Sequence, residues 1–487
     1  MLKTRTDAST SLRGHLPLSR GRWGKQICSA LIAVYFAIFS VVPAYSFNIG
    51  EEREIGEKLL YSVRSNFNLI DDPDITEYIS RIGESVIGVA GIQYFDYHFF
   101  IIDSKEFNAF AAPSGLIFFY SGLIESMNSE DEFVSVIAHE IGHIVKRHLA
   151  ARLEKSKYST MATLGLALAA VAFGGAVAPV LLTGALATGQ SFNLHFSRQN
   201  EAEADLLAYS WMKKLHRDTQ GQVRMLKSMR RIARYRSDAL PQYLLTHPNP
   251  EARLDTIESF IEIDKKKYKA DLASSDDFDF LRFKYRILAQ SVSSSSFRAR
   301  LASILANNKS SQLQRDMANY GMAQLARSEK NFSYAKSLLN DVIEKYPHKL
   351  NLIVDKGVLE YEAGEYDISE SLLRGAINKN RHDMYAIYTL GLLLQRTGRL
   401  GEAIQQFKRV EGAIPQYADV YFALGQIYAR QNMGGLAQLY LGKFNLYSGK
   451  LELARHNFLA VTRDTSVNEK DKLEAKTLLQ RIKKLKA

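Results

Sequence analysis

Hydrophobic residues between positions 47 and 89 recur every three to four residues, which is the spacing of amphipathic helices. The pattern is interrupted by the turn-forming run Asp71-Asp72-Pro73-Asp74. We therefore predict two helices that brace the domain that follows them. The residues that carry the pattern are Ile55, Leu59, Leu60, Val63, Ile75, Tyr78, Ile79, Ile82 and Val86.

Two runs rich in β-branched and aromatic residues come next, from Tyr97 to Ile102 and from Leu116 to Tyr120, and each predicts a strand. The segment between them contains Asn108-Ala109-Phe110 and Pro113-Ser114-Gly115. A short strand of this kind could pair with an extended substrate backbone, which recognises the main chain and demands little of the substrate sequence. The sequence is equally compatible with two strands that are internal to the sheet.

A longer helix is predicted after the strands. Ser129 and Glu132 match the S-x-x-E capping box, which places the start of the helix, and the helical pattern continues to about Lys155. On one continuous helix, position 148 points about 180° away from position 139.

The second half of the chain is periodic. Helical positions with small residues repeat every 34 residues, as in tetratricopeptide repeats. We predict an array from near residue 310 to about 463, closed by a polar helix that ends at 481–486. Such arrays expose a concave groove, so partner binding is preferred over a purely structural solenoid. The repeating small residues are Ala335, Ser369, Ala403 and Ala437 in one series and Gly357, Gly391 and Gly425 in the other.

The net charge of +11 adds little to this outline. Six of the 63 Lys and Arg residues and one of the 52 Asp and Glu residues lie in residues 1–46, so this leader carries five of the eleven net charges. The rest of the chain has the mixed charges of an ordinary solvated surface. Nucleic acid is therefore not predicted as a partner.

The leader has the features of an export signal. Basic residues precede an uncharged run from Ile27 to Val42, and Ala44-Tyr45-Ser46 supplies small residues for cleavage before Phe47. We predict a cleaved signal peptide and a periplasmic location. The single cysteine, Cys28, lies inside the uncharged run, so cleavage would leave a chain without disulfides or Cys-ligated metal.

Candidate chemistry lies in the run His139-Glu140-Ile141-Gly142-His143. Histidines four residues apart lie on one helix face and can converge on one metal ion. The H-E-x-x-H pattern is typical of zinc hydrolases, in which the glutamate takes a proton from water. A bare match also occurs by chance on amphipathic helices. His148 is predicted to be structural, or to hydrogen-bond to a metal ligand without binding the metal itself. It is not predicted to be a third ligand, because it points away from His139 on a continuous helix.

A third ligand is predicted on a helix that runs to about Lys214. Glu201 and Asp205 are four residues apart and share one face, whereas Glu203 points about 200° away from Glu201. Glu201 can complete a site that leaves one position for water, and Asp205 can accept an N–H from a ligating imidazole. The alternative is a solvated acidic face.

Residues 159–197 contain no Asp, Glu, Lys or Arg. A stretch of this length could hold a transmembrane helix, but Gly174-Gly175 and Pro179 divide it into pieces too short to span a bilayer. We predict two short apolar helices over or beside the active site, with peripheral membrane contact as one possibility.

In combination, His139-Glu140-x-x-His143 and Glu201-x-x-Ala204-Asp205 resemble the gluzincin endopeptidases that include the CAAX prenyl proteases and the heat-shock membrane protease HtpX. Asn108-Ala109-Phe110 and Ser197-Arg198 match the same family, over about residues 50 to 262. The chain departs from the family at Ser114, where a paired glycine is usual.

The resemblance implies that His139, His143 and Glu201 hold one Zn²⁺ per chain and that Glu140 is the general base. Asp205 and Arg198 are expected to support these ligands.

His247, in the run His247-Pro248, has two interpretations. It is either a loop histidine ahead of a helix or, as the resemblance favours, a residue near the zinc. In that second case it stabilises the oxyanion or acts as an inhibitory fourth ligand, and both forms stay open.

The whole layout resembles the periplasmic beta-barrel assembly-enhancing protease group. We expect a signal peptide (1–46), a mainly helical α+β zinc-peptidase domain with a small sheet (47–264), a helical linker (265–309) and an all-α tetratricopeptide solenoid (310–487). The resemblance implies an endopeptidase that acts on misfolded or stalled outer-membrane proteins and contacts their assembly machinery through the repeat groove. The alternative is a chaperone or assembly adaptor with a latent, self-inhibited protease site.

Overall fold

A computed structural model describes residues 48–155, 196–235, 241–267, 277–292 and 294–486. All the described residues belong to one unit of the contact map. The predicted fold class is confirmed: a mainly helical domain with a small sheet precedes an all-helical array. The predicted signal peptide, with Cys28, and nearly all of the apolar stretch 159–197 lie outside the described residues.

The elements of the first part are numbered in chain order within the described residues. They are α1 (Ile49–Asn66), α2 (Pro73–Ala90), β1 (His98–Ile102), β2 (Ala109–Ala112), β3 (Leu116–Tyr120), α3 (Ser121–Ser126), α4 (Glu130–Val145), α5 (His148–Lys155), α6 (Arg198–Lys214), α7 (Gln220–Tyr235), α8 (Gln242–Thr246), α9 (Pro250–Lys267), α10 (Asp277–Gln290) and α11 (Ser294–Ala306).

The array contains ten further helices within the described residues. They are α12 (Gln312–Ser328), α13 (Phe332–Lys345), α14 (Leu350–Ala363), α15 (Tyr366–Lys379), α16 (Met384–Arg396), α17 (Leu400–Ala413), α18 (Ala418–Arg430), α19 (Gly434–Tyr447), α20 (Leu451–Arg463) and α21 (Glu469–Lys486).

The sheet has three strands in the order β1-β3-β2. The fully buried β3 is central, and it pairs in parallel with β1 and antiparallel with β2. Strand β2 was not predicted because its sequence, Ala-Phe-Ala-Ala, has low strand propensity. The turn into β3 places Ser114 at φ 71°, a left-handed conformation that glycine adopts without steric cost.

Helix α4 is shorter than predicted. It ends at Val145, and Arg147 has φ 50°, a left-handed conformation that stops an α-helix before α5 begins at His148. The Arg147 guanidinium donates from Nε to Glu52 of α1 at 2.8 Å, which holds this break against the domain. The prediction of one helix to Lys155 is therefore wrong, and so is the direction predicted for His148.

The capping box of α4 is only half formed. The Ser129 hydroxyl accepts the N–H of Glu132 at 3.4 Å, as predicted. The Glu132 carboxylate instead accepts the N–H of Asn128, at 2.8 Å. The helix still starts where the pattern placed it.

Helix α10 lies in the predicted linker, yet most of its side chains are buried. Its Asp277 carboxylate accepts the N–H of Glu130 in the first turn of α4, at 3.0 Å. The Phe283 ring packs against Phe133 of α4, with 5.2 Å between centroids, and Lys284 donates to the Met127 carbonyl just before α4. The start of the catalytic helix is thus held by α10.

The same helix is joined to the array by buried ion pairs. Arg282 and Arg286 both donate to Asp355 of α14, each at 2.8 Å. Arg282 also donates to Asp74 at 2.9 Å, and Arg286 to Asp72 at 2.6 Å, at the start of α2. Asp355 is 1% exposed. These contacts connect three separate stretches of the chain.

The two helices of a repeat approach each other closely at the small residues that recur every 34 positions. A Cβ on Gly391 of α16 would lie 2.6 Å from the ring of Phe407 in α17, and one on Gly357 of α14 would lie 2.9 Å from Leu373 in α15. A larger residue at either position would therefore force the facing side chain to shift.

The C-terminal end of the array contacts helix α1. Arg481 of α21 lies 3.1 Å from Glu57 of α1, and the Ser65 hydroxyl donates to the Gly449 carbonyl at 2.7 Å. The array therefore contacts the first domain at both of its ends. Among the helices of the described residues, none combines the length and apolarity needed to cross a bilayer.

Removing Asp355 should destabilise the whole unit. In Asp355→Ala, two buried guanidinium groups lose a shared carboxylate, and breaking a buried pair in this way costs about 3–5 kcal/mol. Chemical denaturation should show this loss, with Asp367→Ala as the control because Asp367 is exposed on the neighbouring helix α15. Equal midpoints for the two variants would contradict the role given to the ion pairs.

Candidate active site

Four side chains meet in one buried cluster. His139 and His143 come from α4, Glu201 from α6, and His247 directly follows α8. One potential ligand atom from each lies within 4.8 Å of the other three. All four residues are at most 3% exposed. The structure therefore brings the three predicted ligands and His247 together.

Small residues let the two helices approach closely enough for this. A Cβ on Gly142 of α4 would lie 3.2 Å from the Cα of Ala204 in α6. His139, His143 and Glu201 lie next to this contact between the two helices. The Nε2 atoms of His139 and His143 are 3.1 Å apart and lie 3.5 and 3.4 Å from the Glu201 carboxylate.

Asp205 lies behind His139, where the sequence predicted it. Its Oδ1 is 3.0 Å from Nδ1 of His139, so Nε2 is the nitrogen that faces the cluster. Burial and the Arg253 charge lower the pKa of His139, but Asp205 and Glu201 outweigh them and raise it to about 9. Burial instead lowers the pKa of His143 well below its usual value. A metal ion would have to displace the proton from His139.

Arg253, on α9, supplies a positive charge beside these two carboxylates, a role that was not predicted from the sequence. Its guanidinium donates to both Asp205 oxygens at 2.7 and 2.8 Å and lies 2.7 Å from Glu201. Burial raises the pKa of Asp205, but Arg253 and His139 reverse the shift and lower it to about 2.

Glu140 is fully buried beside the cluster. The Tyr243 hydroxyl donates to its Oε1 at 3.2 Å, and its Oε2 has no hydrogen-bond partner within the described residues. Tyr243 was also not predicted, because nothing in its local sequence separates it from a core tyrosine. Its position leaves one carboxylate oxygen of Glu140 for another group.

His247 lies among the ligand atoms. Its Nδ1 is 3.0 Å from Glu201 and 3.3 Å from Nε2 of His139, and its Nε2 is 3.8 Å from Glu140. The tilted Tyr243 ring packs against it, with 4.4 Å between centroids. The structure therefore places His247 in the cluster, as the second interpretation of the sequence required.

Arg198 is not brought into the cluster. It is exposed at the start of α6, and within the described part of the chain no hydrogen bond or ion pair joins it to the other site residues. It lines a cavity of about 190 Å³ together with Glu201, Asp205 and Arg253.

His148 points towards the site, because α4 ends at Val145, and its Nδ1 lies 3.1 Å from Nδ1 of His143.

The cluster fits a divalent metal of the zinc type. Two imidazoles and one carboxylate are the protein ligands of many catalytic zinc sites. His139, His143 and Glu201 would hold the ion. Oε2 of Glu140, which no described residue hydrogen-bonds, would remain available for proton transfer.

Comparison with known proteins agrees with this arrangement. Residues 73–261 match the model of Peptidase family M48, and residues 354–418 and 388–437 match a Tetratricopeptide repeat model. Residues 73–261 are thus similar to a family M48 peptidase domain. The matched region runs from the start of α2 into α9 and includes all the site residues described above.

Several curated relatives share this region. The Beta-barrel assembly-enhancing protease of Escherichia coli (strain K12) is 36% identical over 211 residues, covering 42% of this chain and 43% of that protein. Its counterpart from Yersinia pestis is 31% identical over 219 residues, with the same coverage. The Mitochondrial metalloendopeptidase OMA1 of Schizosaccharomyces pombe is 28% identical over 186 residues, covering 38% of this chain and 53% of that protein. The chain spans less than half the length of the first two relatives.

Among solved structures, the yeast Tom70 crystal structure is 13% identical, with a TM-score of 0.28, over 72% of this chain and 88% of that chain.

Replacing Arg253 should destabilise the metal-free protein. In Arg253→Met, Glu201 and Asp205 stay buried without their shared cation, which should cost about 3–5 kcal/mol. Denaturation in the presence of a chelator measures the loss. Arg234→Met is the control, because Arg234 is 60% exposed and its ion pair with Glu251 contributes little. A loss no larger than that of the control would show that Arg253 does not balance the charge of the site.

Proposed function

We propose that this chain is a zinc-dependent endopeptidase. The observation that carries the proposal is the convergence of His139, His143 and Glu201 within 4.8 Å, with Glu140 buried beside them. A site of this donor set on a family M48 domain supports peptide-bond hydrolysis more directly than any other reaction.

When bound, zinc supplies Lewis acidity, which polarises a carbonyl and lowers the pKa of water. Glu140 then takes the proton from the attacking water and passes it to the leaving amine. Tyr243 holds one oxygen of Glu140 through a 3.2 Å hydrogen bond, so the other oxygen carries the proton. Asp205 orients His139, and Arg253 keeps Asp205 ionised. Burial raises the pKa of Glu201, but His247 and Arg253 lower it well below its usual value.

The proposal extends to location and substrate. The leader pattern of residues 1–46 supports export to the periplasm, with cleavage before Phe47. The relatives named for beta-barrel assembly support misfolded or stalled outer-membrane proteins as substrates. The groove of the repeats would bind these proteins or their assembly machinery, and residues 159–197 would supply any peripheral membrane contact.

One observation favours a second function, that of a chaperone or assembly adaptor with a latent protease site. His247 lies 3.0 Å from Glu201, and the cluster is buried. Complementation of a strain that lacks the protein separates the two functions. Growth restored by Glu140→Gln would favour the adaptor, and failure to restore it would favour proteolysis.

The Glu140→Gln variant should lose cleavage and keep its metal. Without a general base, cleavage of an unfolded protein such as casein should fall about 10²–10⁴-fold. Metal analysis should still find one zinc per chain, because Glu140 is not a ligand. Glu54→Gln is the control, since Glu54 is 52% exposed on α1. Cleavage at the wild-type rate by Glu140→Gln would refute the assignment.

The His247→Ala variant should cleave faster than the wild type. The His247 imidazole lies at contact distance from two proposed ligands, so it competes for the position that water needs. Initial rates of casein cleavage measure the change. A lower rate would assign His247 to oxyanion stabilisation, and an unchanged rate would exclude both roles.

A further inference from the structure

His143 has an unusual neighbour on the side that faces away from the cluster. Its Nε2 faces His139 and Glu201, whereas its Nδ1 lies 3.1 Å from Nδ1 of His148. The Nε2 of His148 in turn lies 3.2 Å from Oε2 of Glu203. We propose that His148 and Glu203 are positioning residues that fix the tautomer and orientation of His143. This inference rests on the proposed function only in treating His143 as a metal ligand.

Imidazole chemistry determines which nitrogen carries the proton in His143 and in His148. A neutral imidazole has one N–H, so a His143 that presents a free Nε2 carries its proton on Nδ1. That N–H donates to Nδ1 of His148, which must then be unprotonated. The proton of His148 therefore lies on Nε2 and is donated to the Glu203 carboxylate. Glu203 selects the tautomer of His148, and His148 selects that of His143.

The two proposed histidine ligands are thus supported by the same helix in different ways. Asp205 of α6 contacts Nδ1 of His139 directly, at 3.0 Å. Glu203, on the other side of α6, reaches His143 only through His148. A ligating histidine usually donates its second N–H to a carboxylate, a carbonyl or water. In this proposal, Nδ1 of His148 takes the place of that acceptor for His143.

The break after α4 makes this contact possible. On an uninterrupted helix, His148 would point away from His139. The left-handed conformation at Arg147, held by Glu52, turns α5 so that His148 lies between His143 and Glu203. His148 is 5% exposed, whereas the Glu203 side chain is 38% exposed. A buried linking residue and an accessible carboxylate can therefore be varied separately.

Competition for zinc against a chromophoric chelator tests the proposal without any substrate. The His148→Phe variant keeps a ring but loses both nitrogens, and should bind zinc about 10–100-fold more weakly. Glu203→Ala should weaken binding in the same direction but less, because water reaches this exposed position. Glu203→Gln keeps an acceptor oxygen for the His148 N–H and should bind zinc like the wild type. Glu54→Ala, which removes an exposed glutamate from α1, should also leave binding unchanged.

Melting of the metal-free variants separates positioning from simple packing. A positioning role predicts weaker zinc binding with little change in the metal-free melting temperature of the Glu203 variants. Equal zinc affinity in the wild type, His148→Phe and Glu203→Ala would overturn the proposal. So would equal losses in Glu203→Ala and Glu203→Gln, or losses that follow a lower metal-free melting temperature. If His148→Phe does not fold, the two Glu203 variants decide.

The outcome is independent of the cleavage assay. If the variants show the predicted order of zinc affinity while the wild type cleaves nothing, this inference stands and the proposed function fails. If the wild type cleaves but His148→Phe holds zinc as tightly, the reverse is true. A wild-type chain that binds no zinc overturns this inference at its premise.

Discussion

The candidate site depends on one electrostatic balance. Glu201 and Asp205 are buried carboxylates, and such groups stay ionised only with a partner of opposite charge. Arg253 is that partner, with contacts of 2.7 Å to Glu201 and of 2.7 and 2.8 Å to Asp205. With both acids ionised, Glu201 can face the two histidines and Asp205 can orient His139. The side chains that would bind a cation are therefore already in place, with their carboxylates ionised, in the metal-free protein.

Helix packing brings these charged residues close to the two histidines. Gly142 and Ala204 let α4 and α6 approach closely, so residues from both reach one point. Helix α10 holds the first turn of α4, and its two arginines share Asp355 with the repeat array. The array also contacts α1 at its far end. Among the described residues, the first helices of the array consequently pack into the same hydrophobic core as the first domain, through residues such as Met317, Ala335 and Leu352.

The sequence predicted those parts of the site that depend on local spacing. His139, His143, Glu201 and Asp205 are each set by the period of one helix, and the capping serine fixed where α4 begins. Arg253 and Tyr243 were missed because their roles come from contacts distant in sequence. The end of α4 was misjudged for a similar reason: Arg147 is held by Glu52, far earlier in the chain. Strand β2 was missed because pairing with β3, and not its own composition, makes it a strand.

We propose that His139, His143 and Glu201 hold one zinc ion. An anomalous difference map at the zinc edge, from crystals of the zinc-loaded protein, would locate the ion. We expect one strong peak about 2.0–2.2 Å from Nε2 of each histidine and from a Glu201 oxygen. No peak at this cluster, or a peak held by other side chains, would contradict it.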